Sequence, residues 1–159
     1  VFRDDSLPLS LKKQLFNQCI IPVLSYGSET WTTTKKLEKK LRVTERAMER
    51  IMVGVTRKDR VNNSELREKT NVRDIITEIK TKKWRWAGHL SRRLDNRWTN
   101  KVTEWTPRTY TRSRGRQCRR WRDEISQSCG PAWMRSARDR PRWKRDEEAF
   151  LQRISSGVK

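Results

Sequence analysis

The sequence predicts an all-α fold, a small helical bundle followed by a basic, partly flexible helical tail, and three observations predict it. Apolar residues recur at three- and four-residue spacing along most of the chain. Helix-starting and helix-ending residues bracket those stretches. No run alternates at period two, and no repeat of fixed length is found.

Taken in order, Ser6 and Pro8 suit a helix start, and Leu11, Leu15, Cys19 and Val23 follow at four-residue spacing until Gly27. Pro22 removes one donor and is expected to kink the last turn. Thr34 can cap a second helix whose stripe is Leu37, Leu41, Met48, Ile51 or Met52, and Val55, with Gly54 at its end. Its Lys, Glu and Arg residues read as an ordinary solvated face. Asn62 with Glu65 fits a capping box before a short helix that stops near Thr70 and Asn71. A longer helix then places Val72, Ile75, Ile76, Ile79, Trp86 and Leu90 on its buried side. Trp98, Val102 and Trp105 mark another short helix within Asn96–Trp105. Residues 106–117 hold Pro107, Gly115 and four arginines with almost nothing apolar, so they read as a basic linker. Cys118, Trp121, Ile125 and Cys129 share a helix face that breaks at Gly130–Pro131. A final helix from about Pro141 carries Trp143, Phe150, Leu151 and Ile154, with Asp146, Glu147 and Glu148 near its positive end. The resulting division is 1–60, a helical segment; 61–105, a helical hairpin with a Trp-rich basic helix; 106–117, a linker; and 118–159, a C-terminal helical segment.

Composition narrows the function. The 159 residues carry 39 Lys and Arg against 19 Asp and Glu, a net charge of +20. Self-repulsion of that size favours a polyanionic partner, with nucleic acid ahead of an anionic membrane surface. Only 33% of residues are apolar, which permits disorder, but eight tryptophans argue for a packed core. The excess charge is concentrated: residues 81–122 hold fourteen basic and two acidic side chains. Three scattered cysteines make no disulfide framework and fit a reducing compartment. The longest apolar run, Cys19 to Leu24, is too short to span a bilayer. Val1 opens the chain without methionine or a signal-peptide pattern, which reads as a piece of a longer polypeptide.

The strongest chemical signal interleaves cations with indoles: Lys82-Lys83-Trp84-Arg85-Trp86, Arg92-Arg93, Arg97-Trp98 and Arg119-Arg120-Trp121-Arg122. Cations meet phosphates, and an exposed indole stacks on an unpaired base. The plainer reading buries most of the indoles, Trp86, Trp98, Trp121 and Trp143 among them, with arginines snorkelling around them. Trp84 and Trp86 point about 160° apart on a helix, so both cannot face one core. The expected contacts are Lys82, Lys83, Arg85, Arg92, Arg93, Arg112, Arg114, Arg116, Arg119, Arg120 and Arg122, with Trp84 as the stacking residue.

Other chemistries find little. The helices between Asn62 and Leu90 allow a helix-turn-helix, but a plain helical hairpin has the same pattern. Cys118 and Cys129 stand eleven apart with His89 the one histidine, so buried free cysteines fit better than a zinc site. No clustered carboxylates suggest two-metal catalysis, and His89 has no evident nucleophile beside it. No catalytic residues, cofactor or metal are therefore expected.

The run Cys19-Ile-Ile-Pro22-Val-Leu-Ser-Tyr26-Gly27-Ser-Glu29-Thr-Trp31 resembles a segment that follows the palm in LINE-type (non-LTR) retrotransposon reverse transcriptases. Leu41 to Gly54, with Arg46-Ala-Met48-Glu-Arg50-Ile-Met52, and then Arg57-Lys-Asp59-Arg60 are similar to a block of the RTE-like clade. Lys83-Trp84-Arg-Trp86-Ala-Gly88-His89, Asn96-Arg97-Trp98, Arg112-Ser-Arg114-Gly115-Arg116, Trp121, Asp123 and the stretch from Trp133 through Asp139-Arg140 to Trp143 extend the similarity over almost the whole chain. The resemblance implies the thumb and post-thumb region of an endonuclease–reverse transcriptase. The family's Tyr/Phe-x-Asp-Asp motif is absent, because Phe2-Arg3-Asp4-Asp5 lies too close to the thumb-like segment. Nor is there an endonuclease residue set or a terminal cysteine–histidine knuckle.

The resemblance implies RNA, DNA or RNA–DNA hybrid as partner, together with the rest of the parent polymerase in cis. No small-molecule substrate or membrane partner is implied. The setting would be a nuclear and cytoplasmic retroelement ribonucleoprotein. Two other readings remain at this point: a non-functional remnant of a decayed element, and a cationic membrane-surface-binding protein.

Overall fold

In the computed structural model, residues 1–4, 6–93, 98–104, 115 and 119–156 are described, and among them every regular element is a helix. These are α1 (Leu9–Leu15), a π turn (Phe16–Ile20), α2 (Ile21–Leu24), a 3-10 turn (Ser28–Thr30), α3 (Lys35–Val53) and α4 (Asn63–Thr70). They continue with α5 (Ile75–Arg92), α6 (Trp98–Glu104), α7 (Asp123–Cys129), α8 (Trp133–Ser136) and α9 (Arg140–Ser156). No helix among the described residues is long and apolar enough to cross a membrane. The chain forms two compact units, Val1–Gly27 with Thr34–Ile79, and Ser28–Thr33 with Lys80–Lys159. The divide falls inside α5.

The first unit follows local rules at its helix ends. The Thr34 side chain accepts from the Leu37 amide at 3.3 Å, and Gly54 closes α3 at φ 76°. Asn62 accepts from the Ser64 amide, and Asn71 ends α4 in the left-handed region at φ 44°. Glu65 does not complete a capping box but pairs with Lys69 one turn on, at 2.7 Å. Asp74 starts α5 by accepting from the Thr77 amide at 2.8 Å.

Its helix faces differ from the simple periodicity. Leu11, Cys19 and Val23 are exposed, while Lys12, Phe16 and Ile21 are buried. The buried line already runs through Lys12 and Phe16 within ordinary helical spacing, and the π turn then sets a five-residue step from Phe16 to Ile21 in place of the four-residue step to Cys19 and Val23. Pro22, which has no N–H to offer the carbonyl four residues back, sits directly after that wider turn. In α3, Met52 is buried and Ile51 is exposed. Glu45 and Glu49, expected on the solvated face, are fully buried.

Their burial has partners. The Arg67 guanidinium on α4 reaches Glu45 at 3.2 Å and Glu49 at 2.9 Å, and its other nitrogen meets Asp74 at 2.8 Å. Arg46 pairs with Glu49, and the Thr70 hydroxyl donates to Glu49 at 2.8 Å. Glu45 also accepts from the Ile75 amide at 3.0 Å, at the positive end of α5. This network ties α4 back onto α3, so residues 61–79 belong with the first unit. Burial raises the Glu45 carboxyl above its ordinary range against the pull of Arg67, and Asp74 adds to the rise.

The second unit is organised by indoles. Trp84, Ala87, Ile125, Trp133, Ala137, Trp143 and Phe150 form one buried cluster, with Trp121, Cys129, Met134 and Leu151 packed against it. Trp84 and Trp143 stack with ring centroids 3.8 Å apart and planes within 6°. Each indole N–H donates to the other residue's carbonyl, at 2.9 and 3.0 Å. The interlock satisfies both buried donors while burying two large aromatic rings. Gly88 makes it possible: a Cβ there would lie 2.6 Å from the Trp143 ring.

Candidate nucleic-acid interface

Sequence singles out the cation–indole run at the middle of α5 as the binding surface, and the structure divides that run in two. Trp84 has no exposed surface and lies in the core stack, so it cannot meet a base. Trp86, expected inside, is half-buried, with its ring 5.6 Å from that of exposed His89. Lys83 is 1% exposed and makes an ion pair at 2.9 Å with Glu124 of α7, itself 4% exposed. Neither Lys83 nor Trp84 is a surface contact, because each is committed to a partner at long sequence distance.

The Lys83–Glu124 pair is the centre of a small polar network. The Lys80 ammonium lies 3.7 Å from Glu124, and the Thr33 hydroxyl donates to the same carboxylate at 3.0 Å. Lys83 also donates to the Trp31 carbonyl at 3.4 Å and stands 5.4 Å from the Trp121 ring centroid. Trp121 in turn donates its indole N–H to the Glu29 carbonyl at 2.6 Å. Burial works to raise the Glu124 carboxyl, but the charges of Lys83 and Lys80 and the two side-chain hydrogen bonds hold it below its ordinary range. Burial also pulls the Lys83 ammonium below its ordinary value, with Glu124 opposing.

The remaining predicted contacts lie nearer the surface. Arg85 is 70% exposed and grips Glu147 of α9 with two nitrogens, at 2.9 and 3.1 Å. Lys82 and Arg93 are half-buried. Arg92 is half-buried and donates to the Ala137 carbonyl at 2.8 Å. Its guanidinium pKa is lowered, first by burial and then by the charge of Arg140. Arg119, Arg120 and Arg122 are half-buried. The Arg120 amide donates to Asp123 at 2.7 Å, and the Arg122 guanidinium donates to the Thr103 carbonyl at 3.4 Å. Arg112, Arg114 and Arg116 lie outside the described residues, as does most of the predicted 106–117 linker.

Two surface features were not singled out by sequence. From Arg135 to Arg145 the chain holds six cations (Arg135, Arg138, Arg140, Arg142, Lys144 and Arg145) against Asp139, and all six are exposed. Asp139 is engaged at the start of α9, accepting from the Arg142 amide at 3.0 Å. Cations in the first turns of a helix oppose its dipole by about 0.3–1 kcal/mol each, so this concentration is not explained by helix stability. The second feature is Trp98, expected in a core with Val102 and Trp105. Trp98 is 79% exposed and Val102 64%, while Trp105 lies outside the described residues. Two polar links hold the seven-residue α6: the Asn100 side chain donates to the Arg93 carbonyl, and the Arg122 guanidinium donates to the Thr103 carbonyl. Composition concealed both features: the 135–145 cluster stands beside three acids, and a tryptophan's burial cannot be read from its type.

Cysteines bring no metal set together. Cys19 is exposed rather than buried, Cys129 is half-buried, and Cys118 lies outside the described residues. Among the described residues no group of three or more Cys, His, Asp or Glu side chains is placed to hold an ion.

Comparison with known proteins gives one informative relationship. The chain is 35% identical over 146 residues to an uncharacterised transposon-derived protein of Caenorhabditis elegans. That match takes in 84% of this chain and spans about half (52%) of the relative. The protein is thus related to a transposon-derived sequence over most of its length. No family model matches, and no solved structure matches.

Proposed function

We propose that the chain is the thumb and post-thumb part of a LINE-type retrotransposon reverse transcriptase, a nucleic-acid-holding module without the polymerase active site. The reading rests on the resemblance described above and on the kinship to a transposon-derived protein. The observation that carries the binding role is the exposed cationic surface of α8 and α9, six cations against one acid within eleven residues. Its partners would be RNA, DNA or their hybrid, with the rest of the parent polymerase in cis, inside a nuclear and cytoplasmic ribonucleoprotein. Contacts would be chiefly to phosphates, which position without reading sequence. Arg85, Arg92, Arg93 and Arg119 to Arg122 would extend the surface, whereas Lys83 and Trp84 support it from within.

A salt titration tests the proposal. If the six exposed cations each neutralise a phosphate, log K should fall against log salt with a slope of about −4 on single strands and about −5 on duplex. Fluorescence anisotropy with labelled RNA and DNA between 50 and 200 mM salt reads the slope. Charge reversal at Arg138 and Arg145 should flatten it by about two units. A slope near zero would remove the phosphate model. Preference for anionic vesicles over RNA in direct competition would support the membrane-surface alternative instead.

A further inference from the structure

Among the described tryptophans, Trp84, Trp133 and Trp143 are buried, and Trp31, Trp86 and Trp121 are half-buried. Trp98 is the exposed one, with exposed Val102 one turn further on the same face of α6. The indole is not on a free arm. The Asn100 amide nitrogen donates to the Arg93 carbonyl at 3.0 Å, and the Arg122 guanidinium donates to the Thr103 carbonyl at 3.4 Å, so both ends of the helix are held. The Lys101 ammonium stands 5.8 Å from the Trp98 ring centroid. The exposed ring therefore has a cation, Lys101, beside it.

We propose that Trp98 is a stacking platform for an unpaired base, so that the second unit binds nucleic acid with a single-stranded segment lying over α6. This rests on the nucleic-acid reading above and adds the strandedness and the residue. An exposed apolar ring with a cation beside it suits a partner that is aromatic on its faces and anionic along its backbone. A nucleotide strand has both properties, and its phosphate would lie within reach of Lys101 when its base covers the indole. Duplex withdraws its base faces into its own stack and offers phosphates alone. An apolar protein segment would find two exposed large apolar side chains on α6, Trp98 and Val102, with the Lys101 ammonium beside them, which is too little area for a stable docking groove.

The test compares a short oligouridylate with an RNA duplex of equal length, at one salt concentration, on the whole chain and on Trp98→Ala and Trp98→Phe. Because Trp98 is exposed, neither variant should alter the melt. Trp98→Ala should weaken the single strand by roughly five- to 150-fold, the range expected for one lost base stack, and change duplex affinity less than about twofold. Trp98→Phe should keep most of the single-strand affinity. Equal losses on both ligands, or no loss on either, would overturn the platform while leaving the phosphate reading intact. Failure of the unaltered chain to bind any nucleic acid would overturn both. A change from dimer to monomer in Trp98→Ala by sedimentation, with oligouridylate binding unchanged, would reassign the ring to self-association and also overturn the platform.

Discussion

Replacing Glu124 with Gln removes one negative charge from the most buried ion pair of the second unit and leaves the shape almost unchanged. Glu124 is 4% exposed and receives Lys83 at 2.9 Å, Lys80 at 3.7 Å and the Thr33 hydroxyl at 3.0 Å. In the variant two ammonium groups would be buried beside a neutral amide. Removing one partner of a buried pair costs about 3–5 kcal/mol, because the other charge stays desolvated. Against a typical domain stability of about 5–15 kcal/mol, that is about a fifth or more of what holds the unit together. All eight tryptophans belong to the second unit, so indole fluorescence during urea unfolding reports that unit alone. Glu124→Gln should lower the midpoint sharply, and adding Lys83→Met should recover part of the loss by removing one stranded ammonium. The acid branch gives a second readout. Glu124 is held below the ordinary carboxylate range, so its contribution is present above the unfolded-state value and disappears as pH falls through the folded one. Wild type should therefore lose stability in acid more steeply than the variant. A cost below about 1 kcal/mol, with parallel pH profiles, would mean that water screens the pair, and the reasoning would fail.

Three further perturbations probe the same architecture. Gly88→Ala places a methyl 2.6 Å from a Trp143 ring fixed by its bond to the Trp84 carbonyl, and should cost about 1–3 kcal/mol in a fluorescence-monitored melt. Arg85→Ala removes an exposed pair with Glu147, and calorimetry should detect less than about 1 kcal/mol. Glu45 has a raised carboxyl, so its stabilising effect is complete below the ordinary value and lost as pH rises through the folded one. Glu45→Gln keeps an acceptor for the Ile75 amide and should abolish that decline, read by circular dichroism of the urea transition from pH 4 to 7.

What sequence could reveal was whatever its neighbours decide. Thr34 and Gly54 bracket α3, Asn71 ends α4 and Gly130 follows α7 because capping is settled within a few residues. Faces needed distant partners. Glu45 and Glu49 look solvated until Arg67 and Thr70, eighteen to twenty-two residues away, come over them. The register beyond the first helix misleads for a different reason, since no periodicity announces the π turn at Phe16–Ile20. The choice between Trp84 and Trp86 had a readable clue. Ala87, Gly88 and Ser91 lie three, four and seven residues after Trp84, a stripe of small side chains that invites close approach of another element. Trp143 makes that approach, 59 residues away.

The division of the basic run bears on how binding by such a chain should be dissected. Charge counted along the sequence assigns Lys83 and Arg138 to one class, yet the first is an interior ion-pair partner and the second an exposed surface cation. Their variants should separate. Lys83→Met or Trp84→Ala should lower binding only as far as the unit unfolds, since each removes support from beneath the surface. Arg138→Glu or Trp98→Ala should lower binding while the melt stays in place. Measuring affinity and unfolding on the same four variants would distinguish a basic, indole-rich chain in which charge alone binds from one in which a buried tryptophan stack presents a particular face. If affinity instead tracks net charge irrespective of position, the exposed surface of α8 and α9 has no special role and the binding is a property of composition.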